Sequence, residues 1–246
     1  MRIAVLSDIH ANLPALEAVA ADMPTVDEVW VLGDTLGYGP QPNEVVRTLQ
    51  QLGARSVLGN HDGAAIGIVN ARYFNPDARA AIEWTAEVID DNARAYVAVV
   101  PEVRRDGELT AVHGSPRDPI WEYITDPGVA AVNLDAFDTR LCLFGHTHQP
   151  VVFAADGSGS IDTTLGLPGT TVRLPRGIRA LLNPGSVGQP RDGLRDAAYG
   201  LLEIKGPSKD ATFEFRRARY DVSQTQERMR EVGLPMRLVE RLSHGR

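Results

Sequence analysis

A chain of 246 residues is short for two ordinary domains, and an apolar share of 43% is enough for one large core, so residues 1–246 are read as a single domain. The net charge of −7 argues against a general nucleic-acid coat, which needs a basic face to displace counterions, and no stable nucleic-acid complex is expected. The lone cysteine, Cys142, excludes a disulfide framework within the chain; between Leu141 and Leu143 it reads as a small buried hydrophobe.

The first apolar run, residues 3–6, meets Asp8 and His10 almost at once. It is too short for a signal peptide or a membrane span, so no membrane partner and a cytoplasmic location are expected. Similar runs follow at 29–32, 56–58, 109–112, 141–144 and 179–182, each ending in Gly, Asp, Asn, Ser or His. Near-continuous apolar runs of this length predict strands buried on both faces. Helical spacing lies between the early runs, over 13–23 with Asn12 as cap and Pro14 near the start, over 43–52 after Pro42, and over 76–89. The alternation predicts an α/β arrangement whose first sheet is largely parallel. Beyond residue 150 the expected strands, 151–154, 170–174, 198–204 and 212–217, are separated by Gly and Pro turns and read as an antiparallel half packed on the first sheet. Residues 156–160 read as a flexible turn, and the Arg-rich tail 223–246 as helix with a solvated face.

Five of the six histidines, His10, His61, His113, His146 and His148, fall just after predicted strands. Polar residues at strand C-terminal ends converge at one edge of an α/β sheet. With Asp8, Asp34 and Asn60 they offer carboxylate, amide and imidazole donors suited to divalent cations. Asp8, His10, Asp34, Asn60, His113, His146 and His148 are too many ligands for one ion. A carboxylate can join two ions, one oxygen on each, in pairs roughly 3.5–4 Å apart. Asp8 and His10, like His146 and His148, are two residues apart, which puts both side chains on one side of an extended segment. Glycines at 33, 59, 114 and 145 are expected to let the backbone turn sharply beside the ligands.

Asp8-Ile9-His10, Gly33-Asp34, Gly59-Asn60-His61-Asp62, His113-Gly114 and Gly145-His146-Thr147-His148 stand in the order found in the calcineurin-like metallophosphoesterase family, which the chain resembles. The stretch Asn183-Pro184-Gly185-Ser186 is also typical. The resemblance implies a four-layer α-β-β-α sandwich of two mixed sheets flanked by helices. It implies hydrolysis of phosphate esters, as phosphodiesterase or phosphatase, by a hydroxide bridging two divalent metals. One metal would be held by Asp8, His10, Asp34 and His148, the other by Asp34, Asn60, His113 and His146. The metals expected are Mn or Fe, with Zn, Ni and Co open. His61 would be catalytic, facing the substrate to stabilise charge on the phosphoryl group or to protonate the leaving oxygen. The substrate would be a small phosphoester, a nucleotide among the candidates; monoester or diester preference and oligomeric state are left open.

Relatives that act on phosphoproteins carry an Asp three residues after the shared Asp, then an Arg. Here those positions hold Gly37 and Tyr38, so the group that orients the catalytic histidine in that branch is missing. The stretches from Gly37 to Pro40, Gly114 to Arg117 and Gly188 to Asp192 resemble instead the small prokaryotic phosphodiesterase branch. Asp62 reads as a turn or cap residue. Arg117 and Arg191 suit either a substrate phosphate or surface ion pairs. For Trp121 and Tyr123, core packing is favoured over a wall for an aryl group. The alternative, a non-catalytic metal-binding scaffold of the same fold, is disfavoured because all seven ligands and His61 are present. A nuclease would need a basic groove, and an amidohydrolase opens with His-x-His rather than Asp-x-His.

Overall fold

A computed structural model describes residues 1–157, 159–206 and 210–246. The first apolar run forms β1 (Arg2–Leu6), and its alternation shows why it is apolar throughout. Ile3 and Val5 face the core between two sheets, while Ala4 and Leu6 face helices on the outside. The next elements are α1 (Leu13–Asp22), β2 (Glu28–Val31), α2 (Pro42–Gln51) and β3 (Arg55–Ser56). Asn12 caps α1 as expected, its Oδ1 accepting from the Ala15 N–H at 3.3 Å. Three helices follow, α3 (Asn60–Ala65), α4 (Pro76–Val88) and α5 (Asp91–Ala98), with a 3-10 turn at Ala71–Tyr73 between the first two. The chain then forms β4 (Val103–Asp106), β5 (Leu109–Val112), α6 (Pro127–Leu134), β6 (Leu141–Leu143), β7 (Val151–Ala155), β8 (Ile161–Leu165), β9 (Thr171–Leu174), β10 (Arg179–Asn183), β11 (Ala197–Ile204) and β12 (Ala211–Ala218). It ends in α7 (Val222–Glu231) and α8 (Met236–Arg241).

Among the described residues two six-stranded sheets result, ordered β3-β2-β1-β11-β12-β9 and β4-β5-β6-β10-β7-β8. Each contains a parallel trio, β1, β2 and β3 in one and β5, β6 and β10 in the other, with antiparallel strands completing it. Trp30, Leu109, Leu143, Leu182, Phe213 and their neighbours fill the space between the sheets. Leu16, Val19, Val45 and Leu49 of α1 and α2 cover the outer face of the first sheet, and Ala130 and Leu134 of α6 that of the second. This is the expected four-layer sandwich of two mixed sheets.

The strands are shared out differently from the expectation. The early strands do not form one parallel sheet with a later antiparallel half against it. The late strands β11, β12 and β9 join the first sheet through β11, which pairs antiparallel with β1 from Arg2↔Glu203 to Val5↔Gly200. A buried apolar run reveals that a strand has two covered faces, but not which strand lies along its edge. The tail also departs from a simple solvated helix. It breaks at Gly233, Leu234 and Pro235, and Val222, Met229, Leu234, Leu238, Val239 and Leu242 are buried against Tyr38, Ala78 and Ala81. The turn expected at 156–160 includes Ser158, which lies outside the described residues. No described helix is long and apolar enough to cross a membrane.

Candidate metal centre and active site

The parallel trios of both sheets end at one edge of the sandwich, and the chemistry-bearing residues sit there. Asp8 and His10 follow β1, Asp34 follows β2, and Asn60 and His61 open α3 just after β3. His113 follows β5, while His146 and His148 lie between β6 and β7. All eight side chains are buried, none more than 4% exposed. Their donor atoms form two groups, Asp8, His10 and His148 in one and Asp34, His113 and His146 in the other. Each group takes residues from both sheets.

Backbone groups fix the orientation of the imidazoles. The Nδ1 of His10 bonds to the Leu36 carbonyl at 3.1 Å, that of His113 to Leu32 at 2.8 Å and that of His148 to Gln189 at 2.6 Å. A carbonyl only accepts, so Nδ1 carries the hydrogen in each ring and a neutral ring presents Nε2 as a lone pair. The Nε2 atoms of His10 and His148 then face each other at 3.3 Å, and His113 Nε2 faces His146 Nδ1 at 2.9 Å. Asp8 Oδ2 accepts from Ser7 Oγ at 2.6 Å and from the His146 N–H at 3.1 Å. Its Oδ1 is buried with no hydrogen-bond partner and lies 3.2 Å from His148 Nε2. Asn60 turns its amide oxygen towards acceptors only, Asp34 Oδ2 at 3.1 Å and His113 Nε2 at 3.0 Å. The facing Nε2 lone pairs of His10 and His148 and the unpartnered Asp8 Oδ1 beside them are repulsive by themselves and satisfied by a cation, and with the Asp34, Asn60, His113 and His146 donors the set fits two divalent ions.

Asp34 stands between the groups, though not with one oxygen towards each. Its Oδ1 accepts from the His61 N–H at 2.9 Å. Its Oδ2 alone faces both groups, 3.6 Å from His10 Nε2 and 3.4 Å from His113 Nε2. The glycine expectation also changes. Of the four glycines beside the ligands only Gly33 has a left-handed backbone, at φ +82°. The left-handed turns are made by the ligand-bearing residues themselves: Asp8, His10, Asp34, His146 and His148 all have φ between 50° and 65°. Gly59 is needed for close approach, because a Cβ there would lie 2.1 Å from Asp34 Oδ1.

Burial dominates the electrostatics. It pulls His10, His146 and His148 well below the ordinary imidazole range and pushes Asp8 up to about 7. Burial opposes charge on His113 too, but the neighbouring Asp34 outweighs it and raises that ring to about 9. Burial pushes Asp34 upward, yet His113 and His61 hold it well below the usual carboxylate range. His61 is lowered to about 4 by burial. Its Nδ1 has no partner, and the ring is held by aromatic contacts, 4.4 Å from Tyr38 and 4.8 Å from Phe74 between centroids. A Cβ at Gly37 would come within 2.6 Å of that Nδ1, so the position that bears the orienting carboxylate in the phosphoprotein branch touches His61 here with no side chain. Asp62 takes the turn role, accepting from the Leu36 N–H at 2.8 Å and the Gly59 N–H at 3.2 Å.

A cavity of about 130 Å³ opens onto the centre, lined by Asp34, Asn60, His61, His146 and His148, and beyond them by Tyr38, Tyr73, Phe74, Asn75, Trp121, Tyr123 and Arg191. Trp121 and Tyr123, for which core packing was favoured, thus stand at the site, and Tyr123 stacks on His146 at 3.9 Å and 20°. Arg191 reaches the cavity, whereas Arg117 pairs with Glu122 at 3.5 Å. Tyr73, Phe74 and Asn75 carried no signal in the sequence, since they are simply the residues before a proline-started helix.

The sequence model of the calcineurin-like phosphoesterase superfamily domain matches residues 1–206. The chain belongs to that superfamily. A metallophosphoesterase from Sphaerobacter thermophilus of known structure is 44% identical, with both chains fully covered and a TM-score of 0.87. An uncharacterized protein of Methanocaldococcus jannaschii is 36% identical over 99% of this chain and 98% of its own. A symmetrical bis(5'-nucleosyl)-tetraphosphatase of Photorhabdus laumondii is 35% identical over 32% of this chain and 35% of its own. As a calcineurin-like phosphoesterase with two candidate metal-binding groups at its strand ends, the protein is a metal-dependent hydrolase of phosphoester bonds.

Proposed function

We propose that one cation is held by Asp8, His10, Asp34 and His148 and a second by Asp34, Asn60, His113 and His146, as the catalytic centre of a hydrolase for small phosphoesters. The observation that carries this reading is the single oxygen of Asp34, Oδ2, turned towards His10 of one group and His113 of the other. Mn or Fe suits such a mixture of carboxylate, amide and imidazole donors, and Zn, Ni or Co is compatible with it. When bound, a divalent pair supplies Lewis acidity, lowering the pKa of water and neutralising charge on the phosphoryl oxygens.

The chain's own residues do the rest. Three backbone carbonyls hold His10, His113 and His148 in the orientation that presents Nε2, so no reorientation is needed at the moment of reaction. His61 lines the cavity and its Nδ1 has no hydrogen-bond partner among the described residues, which favours a neutral ring that donates a hydrogen bond to a phosphoryl oxygen. Replacing His61 by Ala is expected to lower kcat by about 10²–10⁴-fold while metal content, measured by elemental analysis, stays at the native level. Unchanged kcat would remove His61 from the reaction.

The tetraphosphatase relatives favour a nucleotide as substrate, although the likeness spans only a third of the chain. The reading also takes residues 1–246 as one domain, supported by the packing of the tail against Tyr38, and the cytoplasm as its location. A panel of phosphate monoesters and diesters, assayed on metal-stripped protein after each metal is restored in turn, tests the substrate and metal together. No hydrolysis with any pair of ester and metal would sink the proposal.

A further inference from the structure

The cavity over the metal centre is small. Its volume of about 130 Å³ falls below the roughly 300–1,000 Å³ of sites that enclose a drug-sized ligand, so it accepts a phosphoryl group and little more. The remainder of any substrate must lie over the rim, and that rim is aromatic. Tyr73 and Phe74 come from the segment that leads into α4, and Trp121 and Tyr123 from the segment after the His113 strand.

Three of the rings, Tyr73, Phe74 and Trp121, are in contact with one another, and Tyr123 stands beside them at the same rim, each with a fixed base and an exposed part. Phe74 contacts Trp121 at 5.2 Å between centroids, and Tyr73 meets Trp121 edge-on at 6.0 Å and 83°. The inner parts of Phe74 and Trp121 pack on two hydrophobic clusters that include Ala78, Ala81, Leu58 and Ile120. Tyr123 is fixed by its stack on His146. The outer parts are open, with Tyr73 76% exposed and Tyr123 47% exposed. Large aromatic surface left in water at the mouth of a buried polar site is uncompensated in the free protein and marks a place for a ligand.

Resting on the hydrolase reading, we propose that Tyr73, Phe74, Trp121 and Tyr123 form a stacking platform for a flat aromatic group, a nucleobase or an aryl ring, carried by the phosphoester. The platform selects substrates bearing such a group over alkyl and plain sugar phosphates. Stacking suits this task because it acts on the π-face, which all bases and aryl rings share.

The test is calorimetric titration of the Mn-loaded protein with phosphonates, whose carbon–phosphorus bond the hydrolase does not cleave. Four are needed, the analogues of AMP, ribose 5-phosphate, phenyl phosphate and methyl phosphate. At least one aromatic member is expected to bind about tenfold or more tighter than its non-aromatic counterpart. A gain confined to the AMP pair assigns the platform to nucleobases, and a gain confined to the phenyl pair assigns it to aryl groups. Tyr73→Ala is expected to bring the ratio close to one, and Tyr73→Phe to retain it. Ratios near one for both pairs in the native protein overturn the proposal, as does a ratio that survives both Tyr73→Ala and Trp121→Ala. Because binding is read without turnover, an intact ratio beside absent hydrolysis rejects the catalytic reading and leaves the platform standing. Hydrolysis with a ratio of one does the reverse.

Discussion

At the scale of single residues, the metal-free centre stores protons that a cation has to expel. His113 titrates near 9 because the charge of Asp34 overcomes burial, and burial holds Asp8 near 7. Both groups must be deprotonated to act as ligands. Above pH 9 no proton is displaced from either group; between 9 and 7 His113 gives one up, and below 7 Asp8 adds a second. The apparent affinity of the site that holds His113 is therefore expected to fall about tenfold per pH unit below 9, and that of the site that holds Asp8 about tenfold per unit below 7, and competition with a chelator across pH 6–9 measures both. A flat profile between pH 7 and 9 would contradict the protonated His113–Asp34 pair. The ligand residues themselves were legible in the sequence because each stands within four residues of a strand-length apolar run. Their left-handed backbones were not, since nothing in the letters Asp-Ile-His requires a φ near 50°. That conformation is imposed by ties between loops, such as the His10 N–H to the Asp34 carbonyl at 2.9 Å and the Ala11 N–H to Thr35 at 2.9 Å.

At the scale of elements, one buried side chain ties together pieces distant in the chain. Asn12 is 1% exposed and fully bonded. Its Oδ1 accepts from the Ala15 N–H in α1 and from Thr225 Oγ1 of α7 at 2.8 Å, and its Nδ2 donates to the Gly188 carbonyl at 2.9 Å and to Tyr220 Oη at 3.1 Å. The sequence revealed the cap and not the other three bonds, because capping is local and the partners lie some two hundred residues away. Asn12→Ala removes a helix cap and strands the Gly188 carbonyl and the hydroxyls of Thr225 and Tyr220, an expected loss of roughly 3 kcal/mol in urea unfolding. Thr225→Val deletes one of the bonds and is expected to lose about 1 kcal/mol. Equal losses from the two would show that Asn12 acts only through Thr225. The division of strands between sheets was hidden for a related reason. Pairing β1 with β11 joins residues about two hundred positions apart, and apolar periodicity reports which faces are covered rather than which edges meet.

At the scale of the whole molecule, the rigid framing of the donors separates metal binding from folding. Three of the four ligand imidazoles, those of His10, His113 and His148, are held by backbone carbonyls and the carboxylates by backbone N–H groups, bonds that need no ion to form. Chelation is therefore expected to leave the far-ultraviolet circular dichroism unchanged while lowering the Tm. At free metal about a thousandfold above Kd each bound ion adds about 4 kcal/mol and the pair about 8 kcal/mol, which for a chain of this length is roughly 16–32 °C. Loss of secondary structure on chelation would show that the ions are needed to build the fold itself.

Each group of donors straddles the interface between the sheets, Asp8 and His10 facing His148, and Asp34 facing His113 and His146. An ion held this way works as a rivet through two plates. Any excursion that parts the sheets, however brief, tears the coordination on both sides at once, whereas fraying within either sheet leaves it whole. Parting of the sheets is thus a second way out for a loaded ion, beside release through the cavity that opens onto the centre, and escape to an external trap faster than the cavity allows would reveal it without unfolding the protein.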